Sequence, residues 1–88
     1  MAEFDVKTYL WNIVESILNE PDLAEIRITD SDGGSSTIVE MHVTHADLGR
    51  VIGRAGSNFK AIERLLRTLE WRDRAHVAHY VFRVSELD

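Results

Sequence analysis

The chain contains no cysteine among its 88 residues, and this absence narrows its class. A disulfide framework is excluded, so one compact hydrophobic core has to stabilise a domain of this size. A cysteine-free chain fits a reducing compartment, and we expect a cytoplasmic protein. Length and composition together predict a single domain over residues 1–88, with a folded core over about residues 5–84.

Long apolar runs are also missing from the sequence. No stretch approaches the roughly 20 apolar residues that a membrane-spanning helix needs. The first five residues, Met1 to Asp5, include acidic and no basic side chains, so we expect neither a signal peptide nor a membrane partner. These absences leave a small globular domain whose function has to be sought in its motifs and charges.

Positive charge is scarce overall but concentrated in one segment. The formal net charge is −5, yet seven of the ten basic residues lie between Leu48 and Arg74, where three acidic residues oppose them. A local basic stripe on an acidic body indicates a confined track for phosphates, and the acidic remainder disfavours unspecific coating of duplexes. The alternative is a solvated helix face whose charges form ion pairs, such as Lys60 with Glu63 and Glu63 with Arg67.

The most informative segment runs from Gly49 to Lys60 and predicts a short helix, a Gly-Arg-Ala-Gly turn and a second helix. Gly53 and Gly56 let the backbone turn sharply because glycine reaches positive φ without a Cβ clash. The amides of the turn and the free N–H groups of the next helix then converge on one point, which makes an anion site. Arg54 adds a full positive charge, so a phosphodiester backbone is the expected ligand.

The glycine pair has two other interpretations. A nucleotide P-loop has four residues between its glycines and a Lys-Ser/Thr pair directly after them. This turn has two residues between the glycines and continues with Ser57-Asn58, so the P-loop interpretation fails. A simple helix C-cap and turn remains as the alternative.

Hydrophobic periodicity predicts six elements in the order α-β-β-α-α-β. Asp5 is the expected N-cap of the first helix, and Pro21 ends that helix because the residue before proline avoids helical geometry. A capping box from Thr44 to Asp47, with Asp in place of Glu, opens the second helix. The expected apolar stripes are Val6, Tyr9, Leu10, Ile13, Val14, Ile17 and Leu18, then Ala24, Ile26 and Ile28, then Val39, Met41 and Val43, and finally Phe59, Ile62, Leu65, Leu66 and Leu69.

The predicted strands define the architecture. The first two flank a polar hairpin loop over residues 30–35, so they pair antiparallel. The second and third are joined through two helices, so they lie parallel with a right-handed crossover. The third strand covers Val77 to Val84, after a polar loop over residues 71–76 and before a loose tail over residues 85–88. We therefore expect an α+β fold in which three helices cover one face of a three-stranded mixed sheet.

Motif and topology together resemble one family. The segment Val-Ile-Gly-Arg-Ala-Gly, from Val51 to Gly56, is similar to the GXXG signature of KH domains, and the helix-first order resembles their prokaryotic, type II arrangement. A stand-alone domain of this length resembles the bacterial KhpA family over most of the chain, from about Val6 to Val84. The similarity is most specific from Asp47 through the turn.

The resemblance implies a cytosolic, non-catalytic RNA-binding protein that acts as an RNA chaperone or post-transcriptional regulator. It implies pairing with a second copy or with a larger, Jag-type protein that also carries a KH domain, and a link to cell shape and cell wall biogenesis. A GXXG loop clamps the backbone of about four nucleotides of single-stranded nucleic acid. The alternative is a protein-interaction or ribosome-assembly module that docks a KH partner or a ribosomal surface.

We expect the RNA-binding residues at the turn and along the helix after it. Arg54 and the amides from Gly53 to Ser57 would hold phosphates, and Arg50 and Lys60 would steer the backbone from either side. The full expected set is Gly49, Arg50, Ile52, Gly53, Arg54, Ala55, Gly56, Ser57, Asn58, Lys60 and Arg64.

Several apolar residues have roles that the sequence leaves open. Phe59 has the spacing of a core residue, although an aromatic ring there can also stack a base. One of Val51 and Ile52 packs inward while the other lines the cleft. Trp71 either stacks a base or closes a helix end. Apolar area at Tyr9, Trp11, Trp71 and Val81 predicts self-association.

The four histidines form two pairs, His42 with His45 and His76 with His79. No cysteine joins them, and the second pair lies at a predicted strand start, where residues three apart point to opposite faces. We therefore expect solvated histidines, no bound metal and no cofactor. No nucleophile, base and orienting group come together, and Ser57 has the position of a helix cap, so we expect no enzyme.

Overall fold

The computed structural model describes residues 6–30, 36–72 and 79–87. In chain order its elements are α1 (Val6–Val14), β1 (Glu25–Asp30), β2 (Ser36–Val43), α2 (His45–Ile52), α3 (Ser57–Arg72) and β3 (His79–Glu86). Two short 3₁₀ turns, Glu15–Ile17 and Pro21–Leu23, connect α1 to β1. The predicted N-cap Asp5, most of the predicted hairpin loop and His76 lie outside the described residues.

The three strands form one mixed sheet in the order β1-β2-β3. β1 pairs antiparallel with β2 and places Ile26 opposite Met41, while β2 pairs parallel with β3 and places Val39 opposite Phe82. These four side chains share the sheet face that the helices cover, because alternate residues of a strand point to one face. The predicted α+β fold with a three-stranded mixed sheet is confirmed.

The hydrophobic core lies between this sheet face and the helices. Leu10 of α1, Val51 of α2 and Leu66 of α3 are buried against the sheet. Burying a side chain of this size contributes roughly 1.5–3 kcal/mol. A core of this kind stabilises the domain without disulfides. Within the described residues, the buried apolar side chains are those of Val6, Leu10, Val14, Leu18, Ile26, Val39, Met41, Val43, Val51, Ile62, Leu66, Leu69 and Phe82.

α1 is shorter than its apolar pattern suggests. The helix ends at Val14 and a single 3₁₀ turn follows, after which Leu18 is extended although it still packs in the core. The N–H groups of Asn19 and Glu20 donate to the carboxylate of Asp47, at 2.8 Å each. These bonds hold the backbone outside helical geometry. The prediction that the helix continues to the proline was therefore wrong.

The first two strands are longer than their alternating apolar residues predict. β1 reaches Asp30, which lies opposite Thr37, and β2 already begins at Ser36. Ile28 was expected to be an inward-facing residue, but its side chain is 38% exposed. Ile26, on the same face of β1, is buried, so the predicted burial holds only near the start of this strand.

α3 is also longer than predicted, and its buried stripe is narrower. The helix continues to Arg72, so the connection to β3 starts later than the expected residue 71. Ile62, Leu66 and Leu69 are buried, whereas Leu65, expected on the inner stripe, is 38% exposed because it lies at the flank of that stripe. Neither α3 nor any other helix in the described ranges is long and apolar enough to cross a membrane.

β3 ends later than predicted. Among the described residues it covers His79–Glu86, two residues beyond the predicted end at Val84, with Phe82 inward, and the predicted start at Val77 lies outside the described residues. The expected loose tail is wrong for its first residues, because Ser85 and Glu86 pair with β2. The N–H of Leu87 then donates to the carbonyl of Val43 at 2.8 Å.

Candidate nucleic-acid interface

α2 begins at a side-chain cap. The hydroxyl of Thr44 accepts a hydrogen bond from the N–H of Asp47 at 3.3 Å, which satisfies one free donor of the first turn. The predicted capping box is only half formed. Its second half requires the Asp47 carboxylate to return to Thr44, but that carboxylate accepts hydrogen bonds from the chain after α1.

Asp47 is the one buried charged residue of the described chain. Its carboxylate binds the N–H groups of Asn19 and Glu20, and Nε of Arg50 lies 3.4 Å from Oδ1. Burial acts to raise the pKa of this carboxyl, but the two backbone hydrogen bonds, with help from Arg50 and Thr44, give a net lowering of the pKa. Asp47 therefore stays ionised and ties the α1–β1 connection to α2.

The turn after α2 contains three residues with positive φ. The φ angles are 76° at Gly53, 55° at Ala55 and 76° at Gly56. A Cβ built on Gly53 would lie only 2.8–2.9 Å from atoms of Asn58. Gly53 is thus required by its conformation and by its surroundings, as the sequence predicted for a sharp turn. Ala55 adopts the left-handed conformation with a side chain present.

Only part of the turn's backbone is free to bind a ligand. The N–H groups of Gly53, Gly56 and Ser57 donate to carbonyls of α2 or of the turn itself. The N–H groups of Arg54 and Ala55 have no hydrogen-bond partner among the residues that the structure describes. The prediction that all amides from Gly53 to Ser57 face an anion was therefore too broad, because three of them are used internally.

Asn58 braces the turn from α3. Its Nδ2 donates to the carbonyl of Arg50 at 2.7 Å. The last carbonyls of a helix have no partner inside that helix, so this bond closes the end of α2 onto the start of α3. Asn58 was expected to contact RNA, and the structure shows a bracing role for its amide. A direct contact with a ligand stays a prediction.

The residues at and just before the turn differ in their exposure to solvent. Arg54, Ala55 and Ser57 are exposed to solvent. Val51 is fully buried, whereas Ile52 is 36% exposed. This settles the choice that the sequence left open: Val51 belongs to the core, and Ile52 forms an apolar spot beside the turn.

Phe59 packs inward, as its spacing predicted. Its ring centroid lies 5.1 Å from that of Phe82 on β3, and the side chain packs against the core. The core interpretation is confirmed for this residue. The side chain of Trp71 lies outside the described part of the chain, so its two interpretations stay as they were.

Basic side chains continue from the turn along α3. Arg54, Lys60, Arg64 and Arg67 are all exposed, and none forms an ion pair with a carboxylate in the described ranges. The pairs with Glu63 that a self-neutralised helix face would need are therefore not formed. The three cations of α3 follow i, i+4, i+7 spacing, so they lie on one helix face over about 10 Å.

His42 and His45, the first histidine pair, contact the C-terminal end of β3. Nδ1 of His42 lies 3.1 Å from Oγ of Ser85, and Nδ1 of His45 lies 2.6 Å from a carboxylate oxygen of Glu86. These contacts fasten β3 to β2 and to the start of α2. No group of three metal-ligating side chains occurs within residues 6–30, 36–72 and 79–87.

All eleven predicted site residues lie in the continuous unit of α2, turn and α3, and the structure adds two candidates in this unit that the prediction did not include. Arg67 extends the cations of α3, and its spacing from Arg64 was an available signal. Asp47 was treated as a cap, and its bonds to Asn19 and Glu20 bridge 28 and 27 positions in sequence. No local sequence pattern predicts such a contact.

Comparisons with known proteins identify a matching family. A family model described as "KhpA/KhpB, KH domain" matches residues 7–79. The RNA-binding protein KhpA of Chlamydia trachomatis is 32% identical over 73 residues, which cover 83% of this chain and 91% of the relative. KhpA of Clostridium acetobutylicum is 31% identical over 72 residues (82% and 93%), and KhpA of Leifsonia xyli is 35% identical over 60 residues (68% and 76%). No solved structure matches.

Proposed function

The chain belongs to the KhpA/KhpB family of KH-domain proteins, and from this premise and the geometry of the turn we propose that it binds single-stranded RNA through the phosphate backbone. Its relatives are named RNA-binding proteins. One observation carries the proposal: an exposed Gly-Arg-Ala-Gly turn offers two unpaired N–H groups beside cations that lack described acidic partners. Binding of this kind requires no catalysis.

The turn is the proposed clamp for one phosphate. The N–H groups of Arg54 and Ala55, together with the Arg54 guanidinium, supply charge-assisted hydrogen bonds to its oxygens. Gly53 and Gly56 place no side chain between the turn and the RNA, so the two backbones can approach closely. The brace from Asn58 keeps the turn in shape before the ligand arrives, which reduces the entropy lost on binding.

The proposed RNA path continues along α3. Lys60, Arg64 and Arg67 meet further phosphates on the exposed helix face, and Ile52 offers an apolar contact for a base next to the turn. Contacts to phosphates carry no sequence information. We therefore expect limited sequence selectivity and a preference for unpaired over paired RNA.

The decisive experiment replaces Arg54 and Ala55 by aspartate and measures the affinity for short single-stranded RNA by fluorescence anisotropy. Aspartate tolerates the left-handed conformation of position 55, and two carboxylates repel the phosphate, so we expect at least a tenfold loss. The matched control is Arg27→Asp with Thr29→Asp on β1, which changes the net charge equally at exposed positions. Wild-type affinity in a folded Arg54→Asp, Ala55→Asp variant would overturn the assignment of the turn.

The wider role that we propose comes from the family. The protein would act in the cytoplasm as an RNA chaperone or post-transcriptional regulator linked to cell shape and cell wall biogenesis. It would work as a homodimer or paired with a Jag-type KH protein, and the family description that names KhpA together with KhpB supports such pairing. Native mass spectrometry of the full chain purified from cells tests this. If the chain is recovered as a monomer, without RNA and without a second KH protein, the proposed role is wrong.

A further inference from the structure

A groove of about 610 Å³ lies between α1 and the edge strand β1. Its volume falls within the roughly 300–1,000 Å³ that small-molecule sites in proteins occupy. Among the described residues that line it, none belongs to α2, to the Gly53–Gly56 turn or to α3, so the groove is separate from the proposed RNA path. The lining residues are Lys7, Thr8, Trp11, Ala24, Glu25, Ile26 and Arg27.

Trp11 gives the groove a flat aromatic wall. Its side chain packs against the core but is only half-buried, so part of the indole is left to face the groove. From the strand side, the groove is lined by the small side chain of Ala24 and by Ile26. A planar ring that enters this space can stack on the indole, and such stacking is sequence-tolerant because every nucleobase has a π-face. The apolar walls therefore suit a flat ring.

The groove is also more basic than the rest of the chain around it. Seven of the ten basic residues lie between Leu48 and Arg74, so three remain elsewhere, against twelve of the fifteen acidic residues. These three are Lys7, Arg27 and Arg83, and the first two line the groove. Scarce positive charge at one cleft of an acidic surface favours an anionic ligand.

The two cations of the groove have different surroundings. Nη2 of Arg27 lies 2.9 Å from Oε2 of Glu25, so this charge is neutralised within the chain. Lys7 precedes Trp11 by four positions on α1, and residues at this spacing are neighbours on one helix face. An ammonium beside an indole suits a stacked ring that carries one anionic group, whereas a phosphate chain requires a series of cations. The Thr8 hydroxyl and the Glu25 carboxylate add hydrogen-bonding groups for polar ring atoms.

We propose that this groove binds a free purine mononucleotide. The base stacks on Trp11, because a purine covers more of an indole than a pyrimidine does, and the phosphate accepts charge-assisted hydrogen bonds from Lys7. The site uses no residue of the turn, so the inference is independent of the proposed RNA binding. One chain can hold a nucleotide and an RNA at the same time.

Fluorescence of Trp11 tests the proposal on the full chain. The chain has two tryptophans, so Trp71→Phe leaves Trp11 as the only emitter. Adenosine monophosphate should quench this emission in a saturable way. Adenosine, which lacks the phosphate, should bind about two- to fivefold more weakly, as expected for the loss of one exposed charge pair. Uridine monophosphate should also bind more weakly, and ribose phosphate, which has no base, should not quench.

Two variants in the Trp71→Phe background separate the phosphate contact from the general charge. Lys7→Gln should weaken binding of adenosine monophosphate about two- to fivefold and leave binding of adenosine unchanged. Arg83→Gln is the matched control, because it removes the same charge at an exposed position of β3, and it should change neither ligand. Circular dichroism checks that both variants are folded.

A third variant tests the location of the site. Ala24→Phe fills the groove from the strand side, so it should abolish quenching by adenosine monophosphate and leave the affinity for single-stranded RNA unchanged. Arg54→Asp with Ala55→Asp should leave the nucleotide affinity unchanged, because the turn is not part of the groove.

Four results would overturn the proposal. The first is the absence of saturable quenching up to about 10 mM adenosine monophosphate, well beyond millimolar affinity. The second is quenching that persists in a folded Ala24→Phe variant, and the third is quenching that disappears when Arg54 and Ala55 are replaced by aspartate. The fourth is a short oligoadenylate that quenches Trp11 more tightly than the mononucleotide does, since the groove would then be an RNA site.

Discussion

The α2–turn–α3 region and the α1–β1 region differ in how their geometry is determined. The first depends on residues close in sequence: Gly53 adopts a φ that suits glycine, and Asn58 binds the carbonyl of Arg50 eight positions earlier. The second depends on Asp47, whose carboxylate holds the chain after α1 from 27 positions away at Glu20. A turn can therefore be encoded locally, whereas the end of a helix is decided by its tertiary neighbours.

The two regions also use their charges differently. Along α3, the cations at positions 60, 64 and 67 form no ion pair with a carboxylate that the structure describes, which leaves their charge for a polyanion. On β1, Glu25 and Arg27 neutralise each other. An unpaired series of one sign suits a phosphate chain, whereas an internally neutralised pair has little charge left to offer one. The proposed RNA path follows from this contrast.

The largest effect that we expect comes from Gly53→Ala. A methyl group there meets Asn58 at 2.8–2.9 Å and has to adopt φ 76°, so the turn must deform. We predict a loss of roughly 1–3 kcal/mol in the free energy of unfolding, measured by urea denaturation, with RNA affinity falling at least tenfold. The control is Gly49→Ala, since a Cβ at Gly49 meets no atom within 4 Å.

Alanine is the better helix former, so Gly49→Ala should leave stability unchanged or raise it by about 0.5–1 kcal/mol. Equal losses of stability for both alanine variants would mean that the turn has no special geometry. Gly49→Ala also tests the predicted site, because Gly49 is among its residues. If this variant is stable but binds RNA weakly, the RNA approaches α2 as closely as it approaches the turn.

An intermediate effect is expected from Asp47→Asn, which breaks the link between the two regions. The pKa of Asp47 is lowered in the folded state from 3.8, so its ionised form stabilises the fold above pH 3.8, and this contribution disappears as pH falls through the folded pKa. The variant should show a lower urea midpoint at pH 7, and its difference from the wild type should shrink in acid. Asp22→Asn, at an exposed position, is the control and should keep the wild-type urea midpoint at pH 7.

The smallest effects concern single cations. For one phosphate contact at each of the four cations Arg54, Lys60, Arg64 and Arg67, log K against log salt should have a slope of about −2.8 on single-stranded RNA, and Arg64→Gln should reduce the magnitude of that slope by about 0.7. Arg50→Ala should change affinity least, because its guanidinium is already 3.4 Å from Asp47. Flat salt dependence, or a preference for duplex RNA, would favour the protein-interaction or ribosome-assembly module.

Sequence patterns predicted the features with a local cause. The glycine turn, the alternation in β2 and the inward position of Phe59 all follow from the residues themselves. They did not determine the position of β3, because apolar residues occur throughout Val77 to Val84 and only pairing with β2 decides which of them face inward. They also could not choose between Val51 and Ile52, which are adjacent and equally apolar.

For the candidate site too, the sequence indicated some features and not others. Its residues and its position between two helices came from the motif, whereas the number of amides left for a ligand depends on hydrogen bonds inside the turn. The role of Asp47 depends on a contact with the chain after α1, and no local signal precedes it. Polar contacts between segments that are distant in sequence could thus not be predicted from the sequence.

Ala55 has a consequence for the speed of RNA capture. A left-handed alanine costs about 1–2 kcal/mol, and glycine would remove that cost. Glycine would also widen the range of shapes that the turn samples before it meets a ligand. With alanine, the turn samples fewer conformations, so it does not have to reorganise before RNA binds. The association rate should then be set by diffusion and by the electrostatic attraction of the nearby cations. Differences in affinity between RNAs should appear mainly in their dissociation rates.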